Sequence, residues 1–575
     1  MNYSKYIKSY YPGFCAGIFC VIMEGICDLA GPALLASMVN KGIRSGSMAY
    51  ILELSGMMLA VAFLGAMFAA GRNIAASIVS RGFGANLRED LFTKMLKMSA
   101  SSIDHIGQGS LITRMTNDVD QIIHFINSIM RMAVKAPVVC IGSIFMTFIL
   151  SPSLSIPVIS SVIAACLLIY VCLKIGYARF YAVQKAIDRV ATLTQEYLQG
   201  IRLVKAFGVT DYEEKRFSSV NTELEKASVS ANGALSILTP FITLSIQLGT
   251  VCVFYLAGVM VSRDYTEIGI IMAFTTYMAQ ILQSIVSISN AFNKFVRTRA
   301  STERISEILH ENEEPDLIKE LPKITDSGIV FENVTFSYPG SSEEAALKNV
   351  SLTCESGDTL SILGATGSGK TTIVALLLGF YTDYQGKILI GNKELRNIPL
   401  YKLRDMIGIV PQRSMLFSGT VSENIRWGKQ EASDSELGWA ARTAGADEFI
   451  DFMPKAYYSY IAQGAANLSG GQKQRLSIAR AVIKKPQILI FDDCTSALDV
   501  LTEEQVLLHL KKEFPHVTKV IVTQRLATAI RGDKILVMDN GCAAGEGTHK
   551  ELMAGCEIYR DIYYSQMGRG GELVE

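Results

Sequence analysis

The sequence has little charge and no excess of either sign. Only 19% of its 575 residues are charged, and 54 Lys and Arg balance 54 Asp and Glu. Nucleic-acid binders usually carry a basic excess, so this balance argues against that class. A hydrophobic share of 49% and a mean hydropathy of +0.28 exclude a disordered chain and would be unusual for a wholly soluble one.

The cysteines also lack a recognisable framework. Eleven are present without a C-x-x-C pair, and seven lie in or beside apolar runs, at Cys15, Cys20, Cys27, Cys140, Cys166, Cys172 and Cys252. We interpret them as reduced, small hydrophobic residues rather than as disulfides or metal ligands. The first apolar stretch is too long for a signal peptide and contains two acidic residues, so we expect no cleavage.

Long apolar runs are abundant up to about residue 300 and predict a membrane domain over residues 1–310. Six of them can cross a bilayer, at 14–38, 55–79, 128–150, 154–176, 237–262 and 268–292. The segments after the second and fourth runs are long and rich in Lys and Arg, whereas the alternate segments are short. By the positive-inside rule the long segments and both termini are cytoplasmic. The three- and four-residue apolar spacing in the long segments predicts that the helices continue beyond the membrane.

The pattern changes after an acidic linker with two prolines, predicted at 311–327. From residue 328 to 575, short apolar strands alternate with helical segments. Continuous apolar strands predict a mainly parallel sheet covered on both faces, and the more alternating first strands suit an antiparallel edge. The predicted fold class is therefore a membrane domain of six transmembrane α-helices followed by an α/β domain.

The strongest motif in the α/β domain is a glycine-rich loop between a strand and a helix. The sequence SILGATGSGKTT has the spacing of a P-loop, whose backbone N–H groups and helix N-terminus bind phosphates. Lys370 is expected to reach the β- and γ-phosphates and Thr371 to bind Mg²⁺. Downstream, an apolar strand ends in Asp492, a second candidate for holding Mg²⁺. The candidate ATP-binding residues of the loop are Gly364, Gly367, Ser368, Gly369, Lys370, Thr371 and Thr372.

Further motifs in the same order resemble the ABC transporter superfamily. LSGGQ, at Leu468–Gln472, is that family's complete signature motif, and SALD matches its D-loop. The resemblance implies that Tyr338 stacks on adenine and that Gln412, with Thr371 and Asp492, contributes to the Mg²⁺ site. It also implies that two nucleotide domains meet head to tail with ATP between them. The signature residues Ser469, Gly470, Gly471 and Gln472 would then complete the site on a partner chain.

Two positions depart from the family pattern, and both concern hydrolysis. Asp493 occupies the position where the family normally has a glutamate that activates water, and Gln524 stands where it has a histidine. A shorter carboxylate and an uncharged amide favour a slow site, although either change alone is tolerable in an ordinary ATPase. The chain resembles the degenerate-site subunit of heterodimeric bacterial exporters of type IV, which implies a second half-transporter as partner.

The membrane half offers weaker candidates. Residues 101–120 and 207–217 resemble the two intracellular loops whose short helices dock on nucleotide domains, the second on the partner's. Glu24 and Asp28 share one helix face and are tentative substrate residues that could attract cations or form a proton-sensitive pair. The alternatives are pairing with Arg72, Arg131 or Lys135, or a position facing a wet cavity. The sixth run adds a polar stripe at Thr275, Thr276, Tyr277, Gln280 and Gln283.

These features predict ATP-driven export of amphipathic drugs or lipids from the plasma (inner) membrane, with ATP and Mg²⁺ as cofactors and no nucleic acid. The alternatives are an ATP-gated regulator resembling a channel and an importer with the same membrane fold. No peptidase-like segment precedes the first run, which argues against a bacteriocin-processing transporter.

Overall fold

The structure of the protein is a computed structural model that describes residues 3–43, 46–262, 268–314, 326–339, 345–494 and 498–567. The chain forms two compact units. The first contains residues 1–94 and 109–310, and the second contains residues 95–108 and 311–575.

The first unit is built from long helices. Among the described residues, six helices are long and apolar enough to span a membrane, as the sequence predicts. The helices of the N-terminal part of the chain are α1 (Tyr3–Ile7), α2 (Tyr11–Ser37), α3 (Met48–Lys97), α4 (Ala100–Ile106), α5 (Gln108–Thr113), α6 (Val119–Ser128), α7 (Lys135–Leu150), α8 (Pro152–Phe207), α9 (Thr210–Ser262) and α10 (Ile268–His310).

Local sequence explains where several of these helices begin and end. Pro152 occupies the first turn of α8, where its missing N–H is not needed, and Gly208 ends this helix with a left-handed φ of 65°. Three π-helical segments, Met38–Ile43, Arg114–Asp118 and Ile129–Ala133, interrupt the α-helical pattern. Such segments occur frequently at functional sites.

The second unit contains three sheets. Its strands are β1 (Ile329–Phe336), β2 (Leu347–Cys354), β3 (Thr359–Gly364), β4 (Gln385–Ile390), β5 (Lys393–Glu394), β6 (Ile407–Val410), β7 (Gly419–Thr420), β8 (Tyr460–Ile461), β9 (Ile488–Asp492), β10 (Thr518–Thr523), β11 (Lys534–Asp539) and β12 (Cys542–Gly547). A six-stranded sheet has the order β12-β11-β3-β10-β9-β6, and a four-stranded sheet has the order β2-β1-β4-β5.

The sheet prediction is correct for the main sheet and incomplete elsewhere. The neighbours from β11 to β6 are parallel, as the apolar runs predict. The first strands, however, form a separate antiparallel sheet that also recruits β4. An apolar run such as KILIG indicates a strand but does not specify which strands lie beside it. The separate antiparallel sheet could therefore not be predicted from the sequence.

Short helices cover the sheets of the second unit. They are α11 (Lys370–Leu377), α12 (Leu400–Met406), α13 (Val421–Arg426), α14 (Asp434–Thr443), α15 (Asp447–Asp451), α16 (Gly470–Val482), α17 (Val500–Glu513), α18 (Leu526–Ala529), α19 (His549–Gly555) and α20 (Glu557–Met567). Strands β3, β9 and β10 are buried almost throughout, so the chain segments that follow them are held on a rigid scaffold.

Most of the predicted linker, residues 315–325, lies outside the described residues. Its first residues form hydrogen bonds within the second unit. The backbone N–H of Glu314 donates to the carbonyl of Lys97 at 2.8 Å, and its carboxylate accepts two hydrogen bonds of 2.8 Å from Arg404. The start of the predicted linker is therefore part of the second unit.

Candidate functional site

The glycine-rich loop follows β3, near the centre of the six-stranded sheet, and leads directly into α11. Gly367 and Gly369 have φ values of 84° and 97°, a region that other residues adopt only with strain. A Cβ atom at Gly364 would lie 2.3 Å from the carbonyl oxygen of Met538. The loop therefore depends on glycine for both its turn and its close packing.

Lys370 begins α11 and is buried, with 6% of its surface exposed. Its ammonium donates to the carbonyl oxygens of Gly364 and Ala365 at 2.8 and 2.5 Å. Burial lowers the pKa of Lys370, and the carboxylates of Asp493 and Asp492 oppose that shift. A buried cation beside loop amides and a helix N-terminus suits a polyanion such as the triphosphate of ATP.

Thr371 and Asp492 meet beside this loop. The Thr371 hydroxyl donates to Oδ1 of Asp492 at 3.3 Å, and burial raises the pKa of that carboxyl group. A hydroxyl and a carboxylate are oxygen ligands of the kind that Mg²⁺ prefers, and a cation would offset the cost of burying the carboxylate. These two residues fit a Mg²⁺ site.

Tyr338 lies close to the loop within an aromatic cluster. Its hydroxyl is 3.1 Å from the hydroxyl of Thr372, and its ring meets those of Phe336 and Tyr381 edge to face at 5.0 and 5.3 Å. The edge contacts fix the ring orientation, as stacking on a purine requires.

The two departing residues come together in one corner, formed by the ends of β9 and β10. Oδ2 of Asp493 accepts hydrogen bonds from the side-chain amides of Gln524 at 3.2 Å and of Gln412 at 3.5 Å. The Gln524 carbonyl in turn accepts from the Thr366 hydroxyl at 3.3 Å. The predicted site residues Gln412, Asp493 and Gln524 are thus neighbours, joined to the P-loop by Thr366.

Gln566 is a participant that the sequence did not suggest. Its side-chain amide donates to the backbone carbonyl of Gln524 at 2.8 Å and accepts from the backbone N–H of Leu526 at 2.8 Å. Helix α20 therefore clamps the segment after β10 on both sides of Arg525. A lone glutamine near the C-terminus has no motif context, and only the packing of α20 reveals this contact.

The signature residues form the start of α16. Ser469 accepts a hydrogen bond from the backbone N–H of Gln472 at 3.3 Å, and the Gln472 side chain accepts from that of Ser469 at 2.9 Å. This capping box uses the Ser469 oxygen as acceptor and leaves its O–H group able to donate. Ser469 and Gly470 are exposed, followed by Gly471 at the helix start. Across the described ranges, no hydrogen bond joins the signature to the P-loop.

Residues 101–108 of the first predicted coupling segment belong to the second unit, and residues 109–120 belong to the first. Helix α4 begins at a Ser99 cap, the Tyr381 hydroxyl donates to Asp104, and the Ser102 hydroxyl donates to Glu311 at 2.9 Å. The second segment, 207–217, contains the end of α8, the turn at Gly208 and Val209, and the first two turns of α9. Ser496 of the D-loop lies outside the described residues.

The acidic pair of the first span is bound to basic residues. Glu24 contacts Arg72 at 2.8 Å and Lys135 at 2.6 Å, and Asp28 contacts Lys135 at 2.8 Å. The predicted pairing of the acidic residues with basic side chains is therefore correct for Arg72 and Lys135. Arg131 instead accepts a hydrogen bond from Arg72 through its backbone carbonyl.

The polar stripe of the sixth run divides between two environments. Gln280 and Gln283 line a cavity of about 820 Å³ together with Asp28. Tyr277 is buried and its hydroxyl donates to the carbonyl of Leu29 at 2.7 Å. The hydroxyls of Thr275 and Thr276 donate to carbonyls of their own helix, and both side chains are exposed.

Known proteins match the chain along nearly all of its length. The profile of the ABC transporter transmembrane region matches residues 14–285, and that of the ABC transporter nucleotide domain matches residues 347–496. An uncharacterized ABC transporter ATP-binding protein of Bacillus subtilis, YfiB, is 36% identical over 99% of this chain and 98% of its own length. An ATP-dependent lipid A-core flippase of Dechloromonas aromatica is 30% identical over 98% and 96% of the two chains.

A solved structure shows the same fold. The structure of a bacterial Atm1-family ABC exporter with ATP bound covers 98% of this chain and 99% of its own, with a TM-score of 0.81 and 24% sequence identity. The six spanning helices, the P-loop and the signature follow one another in one chain, and the matches to these relatives extend over all three. The chain therefore belongs to the ABC transporter family, as an ATPase-coupled half-transporter with the fold of an exporter.

Proposed function

We propose that this chain is the hydrolysis-poor subunit of a heterodimeric exporter, binding ATP at its own P-loop and completing the competent site of an unlike partner. The observation that carries this proposal is the corner at Asp493, where the carboxylate accepts hydrogen bonds from the amides of Gln524 and Gln412. A residue that activates water must present its carboxylate to that water. Here the shorter side chain is already turned toward two amides.

Reach and charge both disfavour fast hydrolysis at this corner. Aspartate is one methylene shorter than glutamate, and a displacement of about 1 Å can lower a rate about a hundredfold. Gln524 can donate a hydrogen bond to a phosphate but cannot supply the positive charge of a protonated histidine. Lys370 would hold the β- and γ-phosphates, while Thr371, Asp492 and Gln412 would hold Mg²⁺, which neutralises phosphate charge when bound.

The signature suits a role toward a second chain. Ser469 has a free O–H donor at the exposed start of α16, whose N-terminal dipole favours a phosphate. A P-loop alone covers one side of a triphosphate, and a facing signature would cover the other. A head-to-tail pair would therefore give each chain half of two sites, of which only the site built on the partner's P-loop would hydrolyse ATP rapidly.

The transported molecule is proposed to be a small amphipath, either drug-like or lipid-like. The flippase among the relatives supports a lipid-like molecule, because that protein is named for moving lipid A-core. The distribution of Lys and Arg supports a plasma membrane orientation with both termini in the cytoplasm.

The test is ATP hydrolysis by the purified full-length chain in nanodiscs, alone and with a half-transporter that has Glu and His at the two departing positions. We expect the pair to hydrolyse ATP at least tenfold faster than this chain alone. The double variant Asp493→Glu, Gln524→His of the isolated chain should recover part of that difference. A matched control is Asp451→Glu, which makes the same change at an exposed position of α15.

Equal rates for this chain alone and for the pair would contradict the proposal, as would a double variant no faster than the control. ATP-driven uptake of a labelled amphipath into vesicles by the pair separates a pump from an ATP-gated regulator. Uptake should require hydrolysis, whereas a regulator would show flux with ATP that is bound but not hydrolysed.

A further inference from the structure

The cavity of the first unit contains more positive than negative charge. Arg72, Arg131, Lys135 and Lys294 line it, whereas Asp28 is its lining carboxylate. Glu24 lies beside it, 6% exposed, and pairs with Arg72 and Lys135. Four positive charges against two negative charges leave a surplus of two. The acidic residues that suggested attraction of cations are thus outnumbered where they lie.

The surplus is concentrated on two residues. Glu24, Asp28, Arg72 and Lys135 form a cluster in which two carboxylates balance two cations. Among the residues that the structure describes, no carboxylate pairs with Arg131 or Lys294. Both are exposed, and the Lys294 ammonium contacts only the Ser128 hydroxyl, at 3.2 Å. An anion that enters the cavity would therefore form ion pairs with both of these exposed cations.

An apolar cleft of about 290 Å³ adjoins the charged cavity. The two share Phe125 and Ser128, and the cleft is otherwise lined by apolar side chains that include Ile129, Ile288 and Phe295. The rings of Phe125 and Phe295 are 5.7 Å apart. A charged compartment next to an apolar one fits a ligand with a charged head and a hydrocarbon tail.

The π-helical segment Ile129–Ala133 carries Arg131 between these two compartments. Its widened turn displaces the side chains that follow from their regular α-helical positions. Arg131 borders the charged cavity, and Ile129 and Ala133 border the apolar cleft. One short segment thus contributes to both.

We propose that this cavity binds amphipathic anions, with a phosphate or carboxylate head held by Arg131 and Lys294 and an acyl or aryl tail in the adjoining cleft. The inference rests on the proposed export function for its biological meaning, since it names the class of molecule carried. An amphipathic cation would meet like charges at Arg131 and Lys294 and would be disfavoured.

The test measures binding to the full-length chain in phosphatidylcholine nanodiscs without ATP or partner. The probe is a dansyl-labelled undecanoate, an anionic amphipath whose emission rises in apolar surroundings. We expect dodecyl phosphate to displace it, whereas dodecyltrimethylammonium, with the same chain length, and inorganic phosphate displace it poorly. Arg131→Gln and Lys294→Gln should each weaken binding about tenfold, the scale of one charge-assisted hydrogen bond.

Arg299→Gln is the matched control, because Arg299 lies on the same helix as Lys294 and pairs with Glu303 outside the cavity. Lys294→Glu should reverse the preference toward the cationic amphipath. The proposal is overturned if the cation displaces the probe as well as dodecyl phosphate, or if both glutamine variants bind like the control. If inorganic phosphate displaces the probe as strongly as dodecyl phosphate does, the proposed binding of the tail in the cleft is wrong.

Phosphatidic acid added to the nanodiscs distinguishes the source of the ligand. Competition with the probe assigns a bilayer lipid, and its absence together with displacement by dodecyl phosphate assigns a single-chain anion from the aqueous phase. Both results support the anionic class. Because binding is measured without ATP, the exporter proposal can fail through its hydrolysis test while this inference stands, and the reverse also holds.

Discussion

The P-loop and the corner at Asp493 and Gln524 follow neighbouring strands of one sheet, yet their polar groups have different partners. In the P-loop, the buried Lys370 lies among loop oxygens that a phosphate can replace, and Asp492 lies beside Thr371. In the corner, Asp493 and Gln524 bond to each other and to Gln412. The first arrangement suits binding and the second does not suit activation of water. Under the proposed function, binding and hydrolysis of ATP are separable in this chain.

The largest effect on ATP hydrolysis is expected from a substitution in the signature, outside the P-loop. In the purified pair, Gly470→Asp should lower ATP hydrolysis about a hundredfold, because it places a negative charge against the phosphates of the competent site. Gly555→Asp is the matched control, since Gly555 is exposed and a Cβ atom there meets nothing within 4 Å. ATPase assays on both variants decide the point. A mild loss with Gly470→Asp would move the competent site to this chain's own P-loop.

A smaller effect is expected on turnover from Lys370→Ala. This change should weaken retention of ATP by the pair at least tenfold, because it removes the charged partner of the phosphates. Steady-state hydrolysis should change less than about threefold, since the fast site uses the partner's P-loop. Filter binding and ATPase assays measure the two quantities. Loss of turnover with retention intact would reverse the assignment of the sites.

A substitution of Gln566 tests whether helix α20 positions residue 524 in the corner. In the chain that carries Asp493→Glu and Gln524→His, adding Gln566→Leu should lower kcat about fivefold, the scale of one or two lost hydrogen bonds. KM should change little, because the P-loop is untouched. Gln566→Glu keeps the acceptor for the Leu526 N–H and should recover part of kcat. An unchanged kcat with leucine would show that α20 does not position residue 524.

The smallest effect concerns the proposed coupling of ATP hydrolysis to transport. Tyr381→Phe removes the hydroxyl that donates to Asp104 while keeping the ring beside Tyr338. We expect unchanged ATP affinity and a few-fold fall in molecules transported per ATP hydrolysed, with Tyr384→Phe as control. Parallel uptake and ATPase assays give the ratio. A fall in ATP affinity with an unchanged ratio would place Tyr381 in nucleotide binding instead.

The sequence predicts best those features that depend on neighbouring residues. Gly364, Lys370 and Thr371 are close in the chain and their spacing defines their geometry, and the six spanning helices follow from length and hydrophobicity. Features that depend on distant residues were missed. Gln566 meets Gln524 across 42 residues, and strand β4 finds its partner β1 only in the folded unit.

The positive charge of the cavity also depends on residues that are distant in the sequence. Arg131 and Lys294 lie on different helices, so their common surface has no signature in the sequence. The acidic pair Glu24 and Asp28 was visible because its four-residue spacing puts both on one helix face. The sequence therefore indicated three of the surrounding cations only as possible partners of the carboxylates, and it did not indicate Lys294. Charge balance within a helical bundle is a property of the packed unit.

The most direct test of the account is the fate of two bound nucleotides during one turnover. The pair is loaded with ATP and Mg²⁺, separated from free nucleotide, allowed to react for one cycle, and analysed for bound ATP and ADP. The account predicts one ADP and one unhydrolysed ATP per pair, with the remaining ATP lost in Lys370→Ala. Conversion of both nucleotides to ADP at similar rates would contradict it.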